Sequence, residues 1–105
     1  MSKDITIAVV EDDENLRFLV AHRLQTEGYK VIQTGNGMDA EELIIQQKPA
    51  VVLLDWMLPG KEGIEVCEAV RKAGFEHIII MMTAKSQDVD KIDAYSYGVT
   101  DYITK

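Results

Sequence analysis

Carboxylates, a hydroxyl and an amine recur at equivalent places along this chain. Glu11, Asp12 and Asp13 follow one apolar run, Asp55 follows a second, Thr83 a third, and Lys105 closes a fourth. Gathered in one pocket, carboxylates repel one another unless a cation sits among them. Oxygen ligands without His or Cys favour Mg²⁺ or a similar hard ion over zinc. A metal among carboxylates, with a hydroxyl and a lysine nearby, is also what phosphoryl transfer needs. Metal and lysine neutralise phosphoryl charge, the hydroxyl bonds an oxygen, and one carboxylate attacks. These residue types therefore point to an aspartyl phosphate.

Each residue alone has an ordinary explanation. An Asp after a strand is often an N-cap, and one of Asp12 or Asp13 is expected to cap the first helix. Thr83 alone reads as a turn residue, and Lys105 as a terminal lysine. Agreement among four strand ends on one chemistry carries the reading.

The elements that must position these groups follow from hydrophobic patterning. Ile5–Val10, Lys30–Thr34, Ala50–Leu54, His77–Met82 and about Val99–Thr104 read as strands, several of them continuously apolar, as parallel strands covered on both faces are. Four helical patterns lie between them. The first carries Leu16, Leu19, Val20 and Leu24 and stops at Gly28. The second starts near Asn36, carries Ala40, Leu43 and Ile44, and closes at Pro49. The third carries Ile64, Cys67 and Val70 and ends at Gly74. The fourth starts near Ser86, carries Val89 and Ile92, and stops by Gly98. Alternation of this kind predicts right-handed crossovers and a doubly wound α/β sheet of flavodoxin-like order 2-1-3-4-5. Function then gathers beyond the carboxyl ends of the strands, where the first and third strands are neighbours. Glu11, Asp12 and Asp55 are expected in one pocket there, with Thr83 and Lys105 on its rim.

Composition narrows the classes. With 105 residues the chain has room for one domain, residues 1–105, and 47% hydrophobic content supplies its core. The net charge is −7, from 18 acidic and 11 basic residues, which argues against direct nucleic-acid binding by this chain. Cys67 is the only cysteine, so no internal disulfide forms, as suits a reducing cytoplasm. No signal peptide and no membrane span is read, which predicts a cytoplasmic protein.

Four segments carry a family resemblance: VVEDDE at Val9–Glu14, LLDWMLPGKEG at Leu53–Gly63, MTAK at Met82–Lys85 and YITK at Tyr102–Lys105. With the D-x-x-x-P-x-x-x-G frame of Asp55, Pro59 and Gly63, the chain resembles response-regulator receiver domains over nearly its whole length. The resemblance implies that Asp55 is the phospho-acceptor, loaded from a sensor histidine kinase. It implies an Mg²⁺ site (Mn²⁺ would fit the same ligands) with Asp12 as direct ligand, Glu11 acting through water, Asp55, and the Met57 backbone carbonyl. Thr83 would bond the phosphoryl group, Lys105 would pair with it, and Tyr102 would be the switch aromatic. A receiver is no enzyme in the usual sense, since it assists only its own phosphorylation and dephosphorylation. Its output is an attached domain or a downstream protein, most commonly in transcription control.

Two departures from the family pattern stand out. Gly98-Val99-Thr100-Asp101 lacks the usual Ala and a second acidic residue. The chain also stops at Lys105, where the family continues with Pro and a fifth helix, so it reads as a receiver truncated before that helix, with a bare sheet face through which it would self-associate. Two other classes fit these residues less well. An Asp-nucleophile phosphatase of haloacid-dehalogenase type wants a general-acid Asp where Met57 stands. A flavodoxin-like binding module wants a Ser/Thr/Gly-rich phosphate loop where Glu11-Asp12-Asp13 stand. The remaining singular residues read plainly: His22 as surface, Cys67 as core packing, Met81 and Met82 as strand interior, Trp56 as an optical probe. Lys85 and Met57 occupy positions that tune phosphoryl lifetime in such a family.

Overall fold

The apolar runs do become strands, and in a computed structural model, which describes residues 4–83 and 97–104, five of them form one parallel sheet. They are β1 (Thr6–Val10), β2 (Lys30–Thr34), β3 (Val51–Asp55), β4 (Ile78–Thr83) and β5 (Asp101–Thr104), in the order β2-β1-β3-β4-β5. Three helices are described: α1 (Glu14–Thr26), α2 (Gly37–Gln47) and α3 (Gly63–Lys72). The expected fourth helix near Ser86, and Lys105, lie outside the described residues.

Local chemistry fixes the helix ends. Asp13 caps α1, its Oδ1 accepting from Leu16 N at 3.1 Å, so of the two candidate caps it is Asp13 that serves. Asn36 caps α2 in the same way, accepting from Asp39 N at 2.8 Å. Lys48 ends α2 in the left-handed region at φ 48°, just before Pro49. A Glu62/Glu65 capping box opens α3.

Strand alternation divides the sheet into two unequal faces. Ala8, Val10, Val52, Leu54, Ile79 and Met81 point to one side, where α2 and α3 bring Ala40, Ile44, Val66, Cys67 and Val70 into the main core. Full burial of an aliphatic side chain there contributes about 1.5–3 kcal/mol. Burial pushes the Cys67 thiol up to about 11, against the weaker opposing pull of Arg71, and its Sγ donates to the Tyr97 carbonyl at 3.3 Å. Cys67 is thus core packing, as read.

The other face is covered by α1, which lies on β1 and β2. Of the row predicted to face inward, Leu16, Val20 and Leu24 are half-buried but Leu19 is 67% exposed, beside exposed Phe18. A 3.6-residue pattern shows which side of a helix is apolar but not how wide a surface lies beneath it, and here only Ala21 is fully enclosed. Towards β4 and β5 on this face, Ile80 is half-buried while Ile78 and Ile103 are exposed.

The unusual Gly98–Asp101 segment is tied down by Arg71 at the end of α3. Its guanidinium donates to the carbonyls of Gly98 (2.9 Å), Phe75 (2.9 Å) and His77 (2.7 Å) and to Thr100 Oγ1 (3.2 Å). Thr100 Oγ1 also accepts from Ile79 N at 3.0 Å, joining the entry of β5 to that of β4. Gly98 is required twice over: its φ is +97°, and a Cβ there would stand 2.7 Å from Arg71 Cγ.

Candidate functional site

Register places the acidic groups. Val10 pairs with Leu54 across β1 and β3, so the next residues, Glu11 and Asp55, stand side by side at the carboxyl edge. This is the switch point of the sheet, since β1 is flanked by β2 on one side and β3 on the other. Carboxylate oxygens of Glu11, Asp12 and Asp55 all lie within 4.8 Å of one another. Glu11 is 1% exposed and Asp55 4%, whereas Asp12 is open to solvent.

Backbone donors hold two of these side chains. Asp13 N donates to Glu11 Oε2 at 3.2 Å, and Met57 N donates to Asp55 Oδ1 at 3.4 Å. Thr83, 4% exposed, ends β4 one residue past Met82, the register partner of Asp55, and pairs with Thr104 of β5. Four of the predicted groups, Glu11, Asp12, Asp55 and Thr83, therefore share one end of the sheet. Tyr102 lies on β5 opposite Met81, half-buried against the core, two strands from Asp55. Met57 exposes its side chain, and its loop forms a cleft of about 310 Å³ with Asp12, Leu58, Pro59 and Glu62.

Arg17 was not singled out by the sequence. From the second turn of α1 its Nη1 donates to the Glu11 backbone carbonyl at 2.9 Å, and its Nε to Gln33 Oε1 at 3.3 Å. It braces the turn that carries the acidic pair, and Gly35 leaves it room, since a Cβ there would lie 2.6 Å from Nη1. Only an arginine one turn into a helix that follows two acids could have hinted at it.

The response regulator receiver domain model matches residues 7–105. The chain belongs to that family. It is 37% identical to the BeF₃-activated N-terminal receiver domain of Klebsiella pneumoniae RstA, with a TM-score of 0.89 over 95% of this chain and 85% of that one. The response regulator domain of Thermotoga maritima CheB is 27% identical, with a TM-score of 0.88, covering 98% and 79% of the two chains. A LuxR-family DNA-binding response regulator from Staphylococcus aureus is 28% identical at the same TM-score, covering 95% and 85%. The receiver's predicted fold and strand order are those observed.

Among the described residues of this receiver, the donor set suits a hard cation. Three carboxylates converge, no His or Cys joins them, and two are withdrawn from water. Buried anions this close need a countercharge, and an open carboxylate at Asp12 leaves a side from which an ion can enter.

Proposed function

We propose that this receiver accepts a phosphoryl group on Asp55 from the phosphohistidine of a sensor kinase and passes the change to an output. The observation that supports it is the meeting of Glu11, Asp12 and Asp55 within 4.8 Å beside buried Thr83. An Asp55 carboxylate oxygen attacks phosphorus, the P–N bond breaks, and the imidazole leaves with the electron pair. Hydrolysis reverses the load: water attacks the same phosphorus and Asp55 departs as carboxylate. Glu11, Asp12, Asp55 and the Met57 carbonyl would hold Mg²⁺, which offsets charge on the phosphoryl oxygens. The Thr83 hydroxyl donates to one of those oxygens and Lys105 pairs with another. The receiver promotes only these steps on itself, so it is a switch and not a turnover enzyme.

Tyr102 is proposed to report the state of Thr83 across β4 and β5. Transcription control is the output class suggested by the DNA-binding relative. No described helix is long and apolar enough to cross a membrane, and a cytoplasmic setting beside the kinase fits the reading.

Metal binding is testable directly. Trp56 adjoins Asp55 in sequence, its backbone N–H donates to the Met82 carbonyl at 2.9 Å, and its side chain packs against the core, so a change at Asp55 should reach its fluorescence. Titration with Mg²⁺ should change Trp56 fluorescence in wild type and far less in Asp12→Ala. An equal response in both, or none in either, contradicts the metal assignment.

Self-association is proposed through the α1-side face of β4 and β5. Ile78 and Ile103 are exposed there and Ile80 is half-buried, and apolar side chains left open on one sheet face favour a partner. The 105-residue chain should sediment as a dimer or larger species at micromolar concentration, and Ile103→Lys should shift it towards monomer. A wild type that stays monomeric throughout rules this out.

A further inference from the structure

The loop between β3 and α3 does not stand alone. It is pressed against α2 at three points. Gly37 N donates to the Pro59 carbonyl at 3.1 Å. The Gly37 backbone lies so close to Lys61 that a Cβ there would come within 2.0 Å of the Lys61 carbonyl oxygen. One turn further along α2, Glu41 accepts a hydrogen bond from Lys61 Nζ, in an ion pair about one-third exposed at each end. At its far end the loop closes on its own start just after β3, with Gly63 N donating to the Trp56 carbonyl at 2.9 Å.

The geometry points to α2 as a positioning element for the metal site, acting through Gly37 and the Glu41–Lys61 pair on the loop 56–62. This deepens the reading above and rests on it. The loop carries the Met57 amide against Asp55 and forms a wall of the cleft shared with Asp12. A loop of that length has many conformations, and a carbonyl ligand is useful only if one of them is held. Gly37 removes the steric barrier to the close approach, and the ion pair locks it. Gly37, Glu41 and Lys61 are not among the groups that would hold the ion. They act through the backbone between Met57 and Glu62.

Plain charge and positioning make opposite forecasts for one variant. If Glu41 and Lys61 acted only as distant charges, Glu41→Gln would weaken Mg²⁺ binding and Lys61→Gln would strengthen it. A clamp is broken by either change, so both should weaken it.

The test is calorimetric titration of Mg²⁺ into the 105-residue chain, with melting in chelator recorded for each variant. Gly37→Ala should raise the Kd about tenfold or more, as loss of outer support around a metal commonly does. Glu41→Gln and Lys61→Gln should each raise it about threefold, in keeping with a partly exposed ion pair. The pair of changes together should cost little more than either alone, and the reversed pair Glu41→Lys with Lys61→Glu should recover most of the affinity. A merely structural role would lower the melting temperature and leave the Kd unmoved, which overturns the proposal. So do opposite shifts in the two glutamine variants, or a reversed pair no better than the single changes. If Gly37→Ala does not fold, the ion-pair variants decide alone. Loss of binding in Asp12→Ala with every clamp variant unaffected removes the clamp and leaves the metal site standing. No Mg²⁺ uptake by wild type removes both.

Discussion

Asp55→Asn should abolish labelling by a small phosphodonor such as acetyl phosphate, while wild type labels in an Mg²⁺-dependent way. The amide nitrogen of Asn is a poor nucleophile and its oxygen carries no charge, yet its shape is that of Asp, so the fold should survive. The wild-type adduct should be stable in acid and released by hydroxylamine, the signature of an acyl phosphate. Glu11 is one competing nucleophile, but it is 1% exposed and its Oε2 accepts from Asp13 N. Asp12 is open to solvent and is the more serious rival. Label that persists in Asp55→Asn and vanishes in Asp12→Ala would move the acceptor to Asp12. Thr83→Ala should label more slowly by about 10- to 100-fold, the worth of one hydrogen bond to a charged group.

Much of this arrangement could be read from the sequence because parallel strands buried on both faces leave continuous apolar runs, and the runs end at reactive groups. Val10 followed by Glu11, and Leu54 followed by Asp55, place two carboxylates at neighbouring strand ends once the order 2-1-3-4-5 is assumed. Other features depend on contacts distant in sequence, where local pattern is silent. That Glu11 is enclosed while Asp12 is open follows from which side of the turn meets β2 and β3. The exposure of Leu19 goes with α1 packing chiefly on β1 and β2. The approach of Gly37 to Lys61 joins residues 24 apart, and no periodicity announces it. The cap could be narrowed to two aspartates, but only the backbone geometry at Leu16 chooses Asp13.

That choice sharpens a stability prediction. Without metal, Asp55→Asn should melt higher than wild type, and Asp12→Ala should do so by less. Three carboxylates whose oxygens lie within 4.8 Å, two of them buried, repel one another in the folded state and separate in the unfolded chain. At that distance a pair of like charges costs about 1–4 kcal/mol, depending on the effective dielectric. Removing one charge should return part of that, and each 1 kcal/mol raises the melting temperature of a domain this size by about 4–8 °C. Asp55 is the buried member, so its neutralisation relieves more, and an Asn oxygen can still accept from Met57 N. Asp12 is exposed and partly screened, and as an acid just before α1 it also favours the helix dipole by about 0.3–1 kcal/mol, which its loss forfeits. The comparison is clean in one respect, because Asp13 and not Asp12 caps α1, so Asp12→Ala leaves the cap in place. Added Mg²⁺ should stabilise wild type by mass action and erase the advantage of both variants. Functional sites commonly give up stability in this way. If both variants melt below wild type in chelator, the carboxylates are not in mutual repulsion, and the case for a cation among them loses its physical basis.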